Sequence, residues 1–484
     1  MEEFITAFSA GVDAVDSFVW GWAMIVLLVG THIFMTIRTK FIQRKIGTAI
    51  KLSVSKSDSE AEGDVSQFGA LTTALAATIG TGNIVGVATG LLAGGPGAIF
   101  WMWITGVFGI ATKYSETFIS VKYRVKDHKG EMLGGAMYAL ERGFKKKTLG
   151  KVLAVLFALF TLFASFGIGA SVQSNSLSGV ITSYLPITDG TMEMTGANAM
   201  IGALMVVLVA VVILGGIKSV TRVAEKLVPV MALLYAAGCI VIICMNYQYV
   251  GEAIGMIVSC AFTGQAAFGG AVGSGIALAL QYGFKRGLFS NESGLGSAPL
   301  VAANATTKNP ARQALVSMTG TFWDTVVVCA ITGIMLVSTM LAHPEIQAGL
   351  LAGDITKAAE LTTTAFSAIP VLGPLVLAVG MVLFSYSTML GWAQYGNRAC
   401  AYLFGKKGIR VYQVIFLVFV FWGCIGGGEL VWNLSDISNA LMAIPNCIAV
   451  LGLSFVIARE TQHYVWEHNL DEIDDTPIPQ FDTK

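Results

Sequence analysis

The chain has 484 residues, of which 55% are hydrophobic and 12% are charged, and its acidic and basic residues balance to a formal net charge of zero. Soluble domains carry about a quarter charged residues. This composition therefore excludes a soluble globular protein, and the apolar stretches that recur along the whole chain predict many membrane-spanning helices.

Hydropathy predicts eleven spans in chain order, which make residues 1–484 one transmembrane domain. They lie near residues 16–37, 68–93, 98–124, 150–183, 198–216, 227–247, 252–288, 311–341, 361–402, 410–427 and 431–458. If the N-terminus is outside, Lys357 is the only Lys or Arg on the outer side, and Lys285 and Arg286 lie inside. The positive-inside rule then predicts an outer N-terminus and a cytoplasmic tail at 459–484, in the cell (inner or plasma) membrane of a prokaryote.

Span two contains a run that is unfavourable for a helix. Gly80, Thr81, Gly82 and Asn83 lie near its middle, and each glycine costs a helix interior about 1 kcal/mol relative to alanine. Backbone groups freed at this depth cannot face lipid, so they line a cavity or bind water or a ligand. The alternative is that the glycines only allow close helix packing.

Span seven has a similar run, in which small residues again fall near the middle. They are Gly269, Gly270, Gly273, Ser274 and Gly275. If span one is set aside, residues 68–247 and 252–458 form two repeats of five helices, and the odd number inverts the second. The prediction is an all-α integral membrane fold with a 5+5 inverted repeat and two broken helices, which is typical of a transport site at the midplane. Half-helix N-termini would face an anionic group and free carbonyls a cation, as suits a zwitterionic amino acid with sodium.

Three segments carry a family resemblance. The runs GTGNIVGVATGLLAGGPGAIFWMW (80–103), GFKRGLFSNESGLGSAP (283–299) and FSYSTMLGWAQYGNR (384–398) resemble the alanine/glycine:cation symporters. The resemblance implies the leucine-transporter-like fold of the amino acid–polyamine–organocation superfamily with one extra N-terminal helix. It also implies import of a small neutral amino acid, alanine or glycine, with Na+ as the co-transported ion. The sequence does not rank alanine, glycine, serine, glutamine and D-alanine as substrates.

The two breaks and two further helices supply the candidate substrate site. The backbone from Thr78 to Asn83 is expected to hold the carboxylate, and carbonyls near Ser274 the ammonium group. Gln173 and Asn175 are two residues apart and face different sides of a helix, so one of them reaches the site, and the resemblance favours Gln173. The predicted substrate-binding residues are Thr78, Thr81, Gly82, Asn83, Phe166, Gln173, Phe268, Gly273, Ser274, Thr388 and Trp392.

The sodium ligands follow from the resemblance. Transporters of this fold hold sodium between two carbonyls of the first broken helix and a hydroxyl pair on the eighth core helix, which is span nine here. The corresponding residues are Ala76 and Ile79 for the carbonyls and Ser387 and Thr388 for the hydroxyls. Thr388 and Trp392 are four residues apart and share one helix face, so Thr388 could contact both ion and substrate.

Charged residues within the spans need partners. Asp324, near the middle of span eight, could be protonated, bind the coupling ion or bond to the broken segment of span seven. Lys113 and Glu116 are three residues apart and are expected to pair. Glu292 is expected to lie in a cytoplasmic turn after span seven.

The patterns of several functional classes are missing from the sequence. Cysteines and histidines are dispersed, which predicts no transition-metal centre. Without a GxxxxGK[ST] loop, a GxSxG or an HExxH motif, we expect no ATP site, no organic cofactor and no enzyme activity. A proton-coupled transporter with Asp324 as carrier and a passive channel are the alternatives. The expected partners are a small neutral amino acid and the lipid bilayer, with no nucleic acid and no obligate protein partner.

Overall fold

A computed structural model describes residues 2–55, 61–182, 185, 192–263, 275–346, 348, 358–426 and 428–481. These residues are almost entirely helical, as predicted. The α-helices are Glu2–Val19, Trp22–Arg38, Ile46–Ser53, Gln67–Thr78, Val87–Gly94, Gly97–Lys122, Ala136–Gly143, Lys147–Ala164, Val172–Thr182, Met192–Ile213, Gly216–Met245, Tyr247–Thr263, Ile276–Asn291, Pro299–Ala302, Pro310–Thr321, Ala330–Ala342, Ala358–Phe366, Leu372–Ile425, Gly428–Gly452 and Ser454–Thr461. The π-helical segments are Gly82–Gly86, Ser165–Ser171, Phe322–Cys329 and Gln462–Trp466, and residues Ile42–Lys45 form a 3-10 turn.

Several of these helices are long enough to cross a bilayer. Among the described residues, seven have the necessary length and hydropathy, and the pair Gln67–Thr78 and Gly82–Gly94, bent by 52°, makes an eighth candidate. The element Leu372–Ile425 counts once here although Gly405 (φ 71°) breaks its helical backbone. The helices overlap every predicted span, but the count of eleven and the inverted repeat stay predictions.

Apolar side chains occur both inside and outside the bundle. Tyr114, Phe157 and Phe384 are fully buried, whereas Met200 and Leu233 are 71% and 72% exposed. A helical protein with a large apolar exterior satisfies its backbone within each helix and is suited to lipid rather than water.

One end of the bundle, which we call the hairpin face, carries the strands Val125–Lys126 and Met132–Leu133. The two strands pair in antiparallel register. The C-terminal residues fold back onto this end: the Lys126 N–H donates to the Pro479 carbonyl (2.9 Å), and the Phe481 N–H donates to the Lys126 carbonyl (2.7 Å). The hairpin and the tail therefore lie on the same face.

A buried cluster of charges lies toward the opposite end, beside the start of the helix Gly97–Lys122, where a Cβ atom on Gly283 would be 2.6 Å from the Ala98 carbonyl oxygen. Lys285 Nζ lies 2.6 Å from Asp16 Oδ2 and 2.9 Å from Asp436 Oδ2, and Arg286 Nη1 lies 3.8 Å from Asp436 Oδ2. By contrast, Arg312 pairs with Asp471 of the tail at the hairpin face (2.7 Å). The prediction that Lys285 and Arg286 share a side with Arg312 is therefore wrong, because two distant aspartates neutralise them away from the hairpin face.

Candidate functional site

The first break lies where the helix Gln67–Thr78 ends. Ile79 has an extended backbone (φ −74°, ψ 94°), and the chain bends by 52° before the helix continues. The Gly80 N–H donates to Asn83 Oδ1 (3.0 Å), whereas in an uninterrupted helix it would donate to the Ala76 carbonyl. The predicted interruption of span two is confirmed, and the Ala76 carbonyl does not receive its usual donor.

Three buried side-chain oxygens near this break lack a hydrogen-bond partner among the residues that the structure describes. They are Thr81 Oγ1, Gln173 Oε1 and Thr388 Oγ1. A Cβ atom built on Gly80 would lie 2.5 Å from Thr388 Oγ1 and 3.6 Å from Gln173 Oε1. Because an unsatisfied buried polar group costs about 1–3 kcal/mol, this arrangement favours a bound cation or a polar solute.

The structure separates the two polar side chains of span four. Gln173 Nε2 donates to the Ile168 carbonyl (3.1 Å), which leaves its Oε1 near Gly80. Asn175 Nδ2 points to the Gly423 carbonyl (3.3 Å) on another helix. The two residues face different sides, as their spacing predicts, and Gln173 is the one near the break.

The predicted sodium ligands surround the end of the Gln67–Thr78 helix. Ala76 and Ile79 are each 1% exposed. Ser387 Oγ donates to the Phe384 carbonyl (2.9 Å), whereas Thr388 Oγ1 lies against Gly80. Adjacent helical residues point about 100° apart, so Thr388 meets the break directly and Ser387 offers at most its remaining lone pairs.

Two other predicted substrate residues at the break make contacts within the protein. The Thr78 hydroxyl turns back to the carbonyls of Ala74 (3.3 Å) and Leu75 (3.4 Å) of its own helix. A Cβ atom on Gly82 would lie 3.2 Å from Ser290 Cα. Gly82 thus allows the first break to approach the helix Ile276–Asn291 closely.

The Asn83 amide is fully used by protein groups. Its Nδ2 donates to Asp324 Oδ1 (2.7 Å), while its Oδ1 accepts the Gly80 N–H. Asp324 Oδ2 accepts from Ser290 Oγ (2.9 Å) and Thr325 Oγ1 (2.7 Å). Asp324 therefore links the first break to the helix Ile276–Asn291, and the Asn83 amide is part of this link rather than a free ligand. The predicted broken segment Gly269–Gly275 lies almost entirely outside the described residues, so a bond from Asp324 to it stays a prediction.

The aromatic side chains predicted as walls have different surroundings. Trp392 is fully buried, packs against Gly169 and donates its Nε1–H to Glu292 Oε1 (2.9 Å). The Phe166 ring stacks on Phe419, with 4.9 Å between ring centroids. Trp392 thus stands one turn from Thr388, whereas Phe166 packs against the far part of the Leu372–Ile425 element.

The second set of predicted residues, Phe268, Gly273 and Ser274, lies outside the described residues. The described residues nevertheless contain an interruption just beyond the predicted end of span seven. The helix Ile276–Asn291 ends at Glu292, whose backbone is left-handed (φ 55°), and Gly294 and Gly296 also have positive φ.

This second interruption is at the depth of the first, because the adjacent Ser290 contacts both Gly82 and Asp324. Glu292 is 1% exposed and Ser297 is fully buried. The expectation of a cytoplasmic turn at Glu292 is therefore wrong. Its sequence is as polar as a surface turn, but its polar groups are paired inside the protein.

The predicted Lys113–Glu116 pair is confirmed, with 2.9 Å between Nζ and Oε1. Glu116 Oε2 also accepts the N–H groups of Gly294 (3.1 Å) and Gly296 (3.2 Å), and Lys113 Nζ donates to the Glu292 carbonyl (2.9 Å). Side chains of the protein itself thus form hydrogen bonds with the polar backbone groups of the second interruption.

Comparison with known proteins gives a consistent result. The model of the sodium:alanine symporter family matches residues 5–476. A sodium/alanine symporter, AgcS, from Methanococcus maripaludis is 49% identical over 94% of this chain and 96% of its own length. A probable sodium/glutamine symporter, GlnT, from Bacillus subtilis is 34% identical over 94% of this chain and 90% of its own.

A solved structure resembles most of the chain in fold. The crystal structure of MhsT in complex with L-phenylalanine superposes with a TM-score of 0.58 at 15% sequence identity, and the match covers 84% of this chain and 95% of that one. At this identity the likeness concerns the fold alone.

Proposed function

Because the chain belongs to the sodium:alanine symporter family, and so is a membrane transport protein rather than an enzyme, we propose that it imports alanine or glycine with sodium. D-alanine is included in the proposed range. The observation that carries the proposal is the first break, where Thr81, Gln173 and Thr388 present buried oxygens without protein partners among the described residues.

The substrate carboxylate is proposed to bind at the first break. The helix that restarts at Gly82 directs its N-terminal end, and so the positive end of its dipole, into the protein interior, where an anion is favoured. The Thr81 hydroxyl can add a donor there. Gln173 Oε1 can accept from the substrate ammonium group.

Sodium is proposed to bind between the first break and span nine. The carbonyls of Ala76 and Ile79, together with Thr388 Oγ1, are oxygen ligands of the kind that a hard cation prefers. Ser387 can join through a lone pair, because its hydroxyl donates only one hydrogen to Phe384. Thr388 is near enough to Gly80 for the ion and the substrate carboxylate to stabilise each other.

Coupling to sodium supplies enough free energy for uphill import. Moving one sodium down about 100 mV gives about 2.3 kcal/mol, and a tenfold concentration gradient adds about 1.4 kcal/mol. The sum could concentrate a neutral solute several hundredfold. We further propose alternating access between two inverted five-helix repeats in a prokaryotic cell membrane, with the hairpin face and the tail in the cytoplasm.

Uptake into proteoliposomes tests this function. With an imposed inward sodium gradient at fixed pH, we expect saturable alanine uptake that falls to background when choline replaces sodium. Undiminished uptake in choline would refute sodium coupling, and uptake that follows an imposed proton gradient instead would favour the proton-coupled alternative. Flux that does not saturate would favour a channel.

A further inference from the structure

A polar face of the helix Gly428–Gly452 has no role in the site described so far. Ser435 is fully buried and Asn439 is 1% exposed. Neither Ser435 Oγ nor the Oδ1 and Nδ2 atoms of Asn439 has a hydrogen-bond partner in the part of the chain that the structure describes. An amide with both ends unsatisfied inside a membrane protein is costly, so these atoms are suited to a polar ligand.

The residues that contact this polar face show which way it points. A Cβ atom on Gly167 of span four would lie 3.0 Å from Ser435 Cβ. Asp436 pairs with Lys285 of span seven (2.9 Å). Asn439 follows these residues by four and three positions and therefore shares their face. It points between spans four and seven, toward the interior of the bundle.

The depth of Asn439 follows from contacts on either side of it. Toward the hairpin face, Asn446 Nδ2 donates to the Gly294 carbonyl (2.9 Å), while on the other side Asp436 reaches Lys285. Asn439 is thus opposite the stretch between Lys285 and Gly294. That stretch contains Ser290, which Gly82 of the first break approaches.

We propose that Ser435 and Asn439 form a polar subsite for the side chain of the transported amino acid, and that the protein also carries small amino acids with a hydroxyl side chain. This inference rests on the proposed function. A hydroxyl group donates one hydrogen bond and also accepts hydrogen bonds, and the side chains of Ser435 and Asn439 offer both acceptors and donors to match it. The close packing of Trp392 on Gly169 and of Gly82 on Ser290 favours a small side chain.

The test compares L-serine and L-alanine uptake in proteoliposomes under the same sodium gradient. Asn439→Leu removes both polar groups at similar volume, and Ser435→Ala removes one oxygen atom. We expect the ratio of serine to alanine uptake efficiency to fall about tenfold in Asn439→Leu, the effect of one lost hydrogen bond to a buried partner, and several-fold in Ser435→Ala. Asn439→Thr, which keeps a hydroxyl, should retain more of the ratio than Asn439→Leu.

The matched control is Ser438→Ala on the same helix, because the Ser438 hydroxyl donates back to the Leu434 carbonyl (2.9 Å). It should leave the ratio unchanged. If Asn439→Leu does not reach the membrane, Ser435→Ala alone decides. An unchanged ratio, an equal loss of both substrates, or no serine uptake by the unaltered protein overturns the subsite. Absence of sodium-dependent alanine uptake in both the unaltered protein and Ser438→Ala would instead refute the proposed function.

Discussion

Replacing Gly80 by alanine should affect both the packing of the first break and its binding of sodium, and the two effects can be measured separately. The new Cβ atom would lie 2.5 Å from Thr388 Oγ1, well inside the ordinary contact distance. The backbone of Gly80 does not have positive φ, so alanine is excluded by its neighbour rather than by conformation. The Thr388 hydroxyl must therefore rotate away or the two helices must move apart.

Either adjustment has a measurable consequence. Overpacking of this kind costs about 1–3 kcal/mol of stability, and withdrawal of one sodium ligand should raise the sodium concentration for half-maximal alanine uptake about tenfold, equivalent to about 1.4 kcal/mol. Thermal unfolding in detergent measures the first effect, and a sodium titration of uptake in proteoliposomes measures the second.

Two further variants control this experiment. Gly179→Ala places a methyl group on the helix Val172–Thr182, where no described atom outside that helix's own backbone lies within 4 Å. It should leave sodium dependence unchanged and stabilise the helix by up to about 1 kcal/mol. In Gly80→Ala/Thr388→Ala the overlapping oxygen is gone, so stability should recover while sodium dependence does not. Wild-type stability and wild-type sodium dependence in Gly80→Ala would refute the contact between these residues.

Three other outcomes follow from the same contacts. Thr388→Val keeps the shape but removes the oxygen, so the half-saturating sodium concentration should rise about tenfold; an unchanged titration would put the ion elsewhere. Asn83→Ala leaves Asp324 without its amide donor and should lower the free energy of unfolding by about 1–3 kcal/mol, as measured by chemical denaturation in detergent. An unchanged free energy of unfolding would show that the hydrogen bond between Asn83 and Asp324 does not stabilise the fold. Burial opposes ionisation of Asp127, but the hydrogen bond from Lys406 and two backbone N–H groups outweigh it and hold its pKa below 3.8. The resulting stabilisation is present above pH 3.8 and is lost as the pH falls through the folded pKa. The melting-temperature difference between wild type and Asp127→Asn should therefore be constant from pH 8 to 5 and narrow only below about pH 4. A difference that already narrows at pH 6 would contradict the lowered pKa of Asp127.

The first break can be predicted from residues that are close together in the sequence. Glycines on both sides of Thr81 weaken a helix by their own chemistry, and the structure interrupts the helix there. The spacing of Gln173 and Asn175 and the three-residue separation of Lys113 and Glu116 are likewise properties of one helix. Such features can be predicted because the interacting or diverging groups are close in the sequence.

Long-range pairing limited the rest of the prediction. Lys285 looks like the cytoplasmic end of a span, but Asp16 and Asp436 neutralise it from opposite ends of the chain. Glu292 looks like a surface residue until Trp392 and Lys113 are brought to it. Hydropathy measures the polarity of a segment and contains no information about partners hundreds of residues away. Hydropathy therefore predicts the wrong depth for the segment that contains Lys285 and Glu292.

The two interruptions differ in how their polar groups are used. At the second, Glu116 accepts the N–H groups of Gly294 and Gly296, so a substrate carboxylate would have to displace a carboxylate that Lys113 already neutralises. At the first, Asn83 takes only the Gly80 N–H, and neighbouring oxygens stay unpaired among the described residues. Since displacing a paired buried charge costs several kcal/mol, solute and ion are expected at the first break, while the second holds the opposing helix in position.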